Sequence, residues 1–220
     1  MVKHTVLALT SSDMIEYAIR AALDKELFDV STYLVQSPDN YQAAHAEIAK
    51  KLSTIAPPDA LILHEYAVYS SIFDLASDIK IYCAKSAFIL LSQVVNPSKI
   101  SRAVAGNFLG IIAMNDNPLK ILSDLTLRTL RGKLVLSDTA QEAYAVYLQN
   151  YSIIKNLPQR EIEVLNLMLA NYSTTEISNR LKVESNNIHQ IQWRLRRSFN
   201  IESNDELIRY IRSQWNDLTF

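Results

Sequence analysis

Ser185–Phe199 reads SNNIHQIQWRLRRSF, and its spacing decides how the C-terminal part of the chain folds. Ile188, Ile191, Leu195 and Phe199 recur at three- and four-residue intervals, the period of one helical face. Asn187, His189, Gln190, Trp193, Arg194 and Arg197 fall elsewhere on the same helix. Arg194, Arg196 and Arg197 add positive charge with no acidic residue among them, in a chain whose formal net charge is -1. One stripe packs and the basic remainder is left to face a polyanion, which reads as a DNA-recognition helix.

Working outward, Leu157 to Ile211 reads as four helices. The first holds Ile162, Val164, Leu165, Leu167, Met168 and Leu169 and ends near Asn171, a residue that tolerates the left-handed backbone of helix ends. Ser173-x-x-Glu176 is a capping box that opens the second, which runs to Leu181. After the turn Lys182–Glu184 comes the basic helix, and Ser203-x-x-Glu206 opens a fourth with Leu207, Ile208, Ile211 and Trp215 on one side. Two helices joined by a tight turn, the second basic, make a helix-turn-helix. Upstream, Asp138 to Asn156 has no Gly or Pro and sets Ala140, Ala143, Tyr144, Tyr147, Leu148 and Tyr151 at helical spacing. The connection is expected to be a helix, with its tyrosine stripe packed against a neighbouring domain or subunit.

The first half alternates between short apolar runs and helical patterns. TVLAL (5–9), Phe28–Val35, ALIL (60–63), AFILL (87–91) and GIIAM (110–114) read as five strands. Helices are expected over 15–23, over 43–55 until Pro57 and Pro58 stop it, over about 70–84, from Asn96-Pro97 to about Gly106, and over 119–130 with Gly132 as C-cap. Strands alternating with helices imply a parallel sheet covered on both faces.

Composition is consistent with this. A chain of 220 residues with 49% hydrophobic content has enough apolar surface for two cores. No apolar run approaches the roughly 20 residues that cross a bilayer, and no leader pattern opens the chain. Cys83 is the one cysteine, which excludes an intrachain disulfide and a cysteine-based metal site and fits a reducing, cytoplasmic setting.

Residues 1–138 resemble the receiver domain of a bacterial response regulator, a five-stranded flavodoxin-like α/β fold. In that family an acidic pair follows the first strand, a phospho-accepting Asp ends the third, a Ser or Thr ends the fourth and a Lys ends the fifth. The matching positions here are Thr10 and Ser11, His64, Ser92 and Met114, and the family's intervals from His64 to Ser92 and from Ser92 to Met114 are kept. Mg²⁺ needs hard oxygen ligands, and Thr10, Ser11 and His64 supply no carboxylate, so neither metal nor cofactor is expected. Without an Asp nucleophile no aspartyl-phosphate forms. Asp13 and Glu65 lie nearby in sequence but are displaced from the matching positions.

Residues 157–211 resemble the LuxR/FixJ-type helix-turn-helix. The resemblance rests on Leu157, Arg160, Glu161, Glu163, Val164, Leu165 and Leu167, on Ser173, Glu176, Ile177 and Leu181, and on Ile188, Leu195 and Ile201. Pro158 replaces the family's usual Thr, and the family's Thr-Val-Lys-x-His run is here Asn187-Ile188-His189-Gln190-Ile191. The whole chain therefore resembles an atypical, pseudo-receiver response regulator of the NarL/FixJ family. Its implied parts are a receiver-like domain (1–138), a helical linker (139–156) and an all-α four-helix DNA-binding domain (157–220).

The resemblance implies base contacts at His189, Gln190 and Trp193, with Asn187, Arg194, Arg196 and Arg197 toward phosphates. It implies a non-enzymatic transcription regulator that binds double-stranded DNA without aspartyl phosphorylation, as a dimer using Ile208, Ile211 and Trp215 of the fourth helix. The alternative is a protein-interaction regulator acting mainly as the heterodimer partner of an orthodox response regulator.

Overall fold

The computed structural model describes residues 3–69 and 71–214, so Trp215 and the start of the expected 70–84 helix at Ser70 lie outside the described residues. The chain divides into two compact units, Met1–Ala143 and Tyr144–Phe220.

The first unit is a parallel sheet with helices on both faces. Strand β1 is His4–Thr10, β2 Phe28–Leu34, β3 Ala60–His64, β4 Ala87–Ser92 and β5 Phe108–Ala113. A sixth strand, β6 (Val135–Leu136), pairs with β5, so the sheet order is β2-β1-β3-β4-β5-β6 and the expected count of five is corrected to six. Two residues carry no alternation for a sequence reading to detect; pairing with Gly110 and Ile111 makes them a strand. Strands β3 and β4 are buried along their whole length, as central strands covered on both faces must be.

Between the strands run α1 (Asp13–Ala22), α2 (Tyr41–Ser53), α3 (Ile72–Ile79), α4 (Pro97–Ala105) and α5 (Pro118–Leu130). Ser12, Asn40, Ser71 and Asn96 cap the first four, each side chain accepting from the backbone N–H three residues on. Helix α3 stops at Ile79, well short of the expected 84. Tyr82 and Cys83 donate back to Ile79 and Lys80, turning the chain toward β4 while Cys83 stays buried. Helices α1 and α5 share a core with one face of the sheet, built on Ile15, Ile19, Leu122 and Leu125 against Val6, Ala8, Ile62 and Ile89. Gly110 sits where a Cβ would lie 2.9 Å from the Ile89 side chain, and Gly132, past the end of α5, takes φ +75°.

Helix α6 (Asp138–Lys155) spans the boundary between the units. Ala140 and Ala143 are buried at its first end, and Asp116 caps that end by accepting from the Thr139 amide and hydroxyl at 2.8 and 2.6 Å. Tyr144, Tyr147 and Tyr151 lie ring against ring along the helix, with centroids 6.0 and 5.9 Å apart. The far end of α6 belongs to the second unit: Ile154 joins its core, and buried Asn150 exchanges hydrogen bonds with the Tyr210 hydroxyl.

In the second unit follow α7 (Gln159–Leu169), α8 (Thr174–Leu181), α9 (Ser185–Ser198) and α10 (Asn204–Gln214). Asn171 is left-handed at φ 62°, and the Ser173/Glu176 capping box is formed in both directions. Pro158 leaves α7 without a side-chain cap. Ile211, expected on a dimer surface, is fully buried with Leu207 in this unit's own core, and Ile208 is half-buried against it. The apolar side of α10 is consumed internally because a unit this small has no other means of closing its core.

Candidate nucleic-acid interface and strand-end site

Helix α9 is held from its packed side and open on the other. Ile188, Ile191, Leu195 and Phe199 enter the core with Val164, Leu165 and Ile177. Three polar links then fix its orientation. Gln192 is buried and shares hydrogen bonds with Thr174 at the start of α8. The Arg194 Nε donates to Glu161 on α7 at 2.6 Å, and Glu161 is only 6% exposed, so this is a desolvated carboxylate with one guanidinium partner close by. Arg196 donates to the Asn204 side chain at 2.6 Å, tying α9 to α10. Arg194 and Arg196, expected at phosphates, thus both have partners inside the unit. The tight turn before α9 is set by left-handed Lys182, with Ser178 reaching the Val183 carbonyl at 2.6 Å.

Asn187, His189, Gln190, Trp193 and Arg197 are all exposed on the open side. Trp193 keeps 51% of its surface in solvent, and the Arg197 guanidinium lies 5.3 Å from its ring centroid. Trp193 is the one large apolar side chain of α9 left in solvent, the others being buried in the unit's core. Hydrogen-bonding side chains, an aromatic and an exposed cation on one helical face match the chemistry of base edges and phosphates.

At the other end of the chain, the sheet order reverses at β1 and β3, and the carboxyl ends of those strands carry Thr10 and His64, two of the positions singled out in the sequence. Thr10 is fully buried, and its hydroxyl lies 3.3 Å from the His64 Nδ1. Burial pushes the His64 imidazole below its usual pKa, against a smaller opposing effect from neighbouring Glu65, and favours the neutral ring. Ser11 donates to the Tyr66 carbonyl at 2.5 Å, and Met114 packs against the α1–α5 core. None of the Thr10, Ser11, His64 and Met114 side chains is a carboxylate, and among the described residues no cluster of three His, Cys, Asp or Glu is positioned to hold a metal.

Ser92 has different company. Its hydroxyl contacts the Glu65 carboxylate, and Lys99 on α4 lies 2.5 Å from Glu65 and 2.9 Å from Ser92. Neither Glu65 nor Lys99 stands at a position the sequence motif marks, so this arrangement was invisible to it. The only local signal at Lys99 is the Asn96-Pro97 helix start that places it in the first turn of α4.

An RcsB response regulator of Salmonella typhimurium superposes with a TM-score of 0.73 at 18% identity, covering 95% of this chain and 99% of that one. This is the two-domain response-regulator fold. The same architecture appears in a two-component response regulator RcsB–DNA complex, with TM-score 0.64, 18% identity and coverage of 97% and 99%. A LuxR-family two-component response regulator from Aurantimonas sp. SI85-9A1 matches with TM-score 0.55 at 10% identity, over 66% of this chain and 97% of that one. No protein-family model and no curated protein matches the sequence. Within the response-regulator fold, Thr10, His64, Ser92 and Met114 sit at or beside the ends of β1, β3, β4 and β5, and α9 is the second helix of the helix-turn-helix. No helix among the described residues is long and apolar enough to cross a membrane.

Proposed function

We propose that this protein is a DNA-binding transcription regulator, without enzymatic activity, that places α9 in the major groove and acts without aspartyl phosphorylation. In this reading residues 1–138 form the receiver-like part, 139–156 the helical link and 157–220 the DNA-binding part. The observation that carries it is the open face of α9, where five polar, aromatic and cationic side chains stand exposed while the rest of the helix is locked to α7, α8 and α10. The likeness to a response regulator solved on DNA supports it.

Gln190 pairs with an adenine edge, Trp193 contacts a thymine methyl, and His189 reads an acceptor on a neighbouring base. Asn187 and Arg197 take phosphates, and Arg194 and Arg196 position the helix from within the unit. One such helix covers only a few base pairs, so two copies read two half-sites about one helical turn apart, in the cytoplasm where the DNA is. Neutral Thr10, Ser11, His64 and Met114 provide neither the metal ligands nor the nucleophile of a phospho-switch.

The test is fluorescence anisotropy of the full chain on promoter fragments from its own genome. Sequence-dependent binding that is lost on combining Gln190→Ala, Trp193→Ala and Arg197→Ala is expected. Equal binding by the triple variant would overturn the assignment of this face, and binding gained only with a second response regulator present would replace it with a heterodimer.

A further inference from the structure

The Glu65 carboxylate, at the end of β3, is nearly buried, with 8% of its side chain exposed. One oxygen accepts from the Gln93 amide at 3.0 Å, and the other meets the Ser92 hydroxyl and the Lys99 ammonium. The Ser92 hydroxyl also lies 2.8 Å from the Val94 carbonyl, so Ser92, Gln93 and Lys99 each place one polar group on this carboxylate from the segment between β4 and the first turn of α4. Burial alone would raise the Glu65 carboxyl, but hydrogen bonds from Lys99 and Ser92 outweigh it and hold the pKa below the usual range. An ammonium, a hydroxyl and a backbone N–H converging beside a helix N-terminus are the donors that bind an oxyanion.

We propose that Glu65 is a permanent internal anion, filling an oxyanion cradle made by Ser92, Gln93 and Lys99 and thereby fixing the β4–α4 segment in one ligand-independent arrangement. The cradle is satisfied by the chain itself, so small phosphodonors find no place in it. For a regulator this means an output set by how much protein is present, a consequence that rests on the function proposed above; the cradle itself does not.

Amide hydrogen exchange in peptides covering 93–105 of the full chain tests it. In Glu65→Ala the protection of these amides is expected to fall by about tenfold or more, the scale of a lost charged hydrogen bond. Acetate or inorganic phosphate then restores it, whereas the wild type responds to neither. Lys99→Met in the Glu65→Ala background removes the restoration. Unchanged protection in Glu65→Ala, or a loss that no anion reverses, overturns the proposal. Should Glu65→Ala fail to fold, Glu65→Gln keeps the shape without the charge. Faster exchange at 93–99 in that variant is expected, and wild-type exchange overturns the proposal. Anisotropy on DNA measured in parallel separates the two readings, because loss of wild-type DNA binding sinks the function and leaves the cradle untouched.

Discussion

Arg194 and Arg197 lie one helical turn apart on α9 and carry the same charge, yet Arg194 pairs with a buried carboxylate and Arg197 lies only against an exposed ring, and replacing each by alanine separates them. Arg194 partners a carboxylate that is 6% exposed, so its removal strands Glu161 in a dry site. For a fully buried pair that loss costs about 3–5 kcal/mol. The Arg194 side chain is 47% exposed, and water reaching the vacated space reduces the expected cost to about 1–2 kcal/mol. For a helical unit of this size that lowers the melting midpoint by roughly 4–8 °C per kcal/mol. Adding Glu161→Gln to Arg194→Ala removes the stranded charge and returns most of the loss. Arg197 touches nothing deeper than the Trp193 ring, so Arg197→Ala is expected to leave stability within about 0.5 kcal/mol.

On DNA the order inverts. A lost phosphate contact lowers the slope of log K against log salt by about one, so Arg197→Ala shows that change and Arg194→Ala does not. Chemical denaturation and anisotropy over a salt series measure both quantities on the same preparations. If Arg194→Ala reduced the salt slope by about one at wild-type stability, the reasoning from the Glu161 pair would be refuted.

Three further outcomes follow from the packing. The folded protein holds His64 below its ordinary value of 6.5, so the unfolded chain takes up the proton first as pH falls. Stability tied to neutral His64 is complete above about pH 7 and declines from about pH 6.5 downward, and His64→Gln should flatten that part of a pH series of unfolding midpoints. Gly110→Ala would push a methyl against the Ile89 side chain at 2.9 Å and the Thr129 hydroxyl at 3.1 Å, a clash expected to cost about 1–3 kcal/mol in urea unfolding of the first unit. Ser173→Ala breaks the capping box of α8 and should cost about 1 kcal/mol, with Ser173→Gly costing less.

Much of the architecture lies on the surface of the sequence because it is written in local periods. ALIL and AFILL are apolar without interruption because both faces of β3 and β4 are covered, and the α9 stripe is regular because one side of that helix packs. The capping box and left-handed Asn171 are equally local. What escaped is tertiary. Strand β6 exists through its partner, and Ile211 turns inward because this small core needs it. The Lys99–Glu65 and Arg194–Glu161 pairs join residues far apart in the chain, and no spacing rule connects them. The same limit hid the internal partners of Arg194 and Arg196, Glu161 and Asn204, which no local pattern connects to α9.

The unphosphorylated chain is expected to read DNA sequence through the open face of α9. Selection from a random duplex library with full-length protein, in the absence of any phosphodonor, tests it most directly. A motif of two half-sites about one helical turn apart is expected to emerge, and to vanish with Gln190→Ala plus Trp193→Ala. A library that stays unenriched, or one enriched only after a phosphodonor is added, would rule out phosphorylation-independent reading by α9.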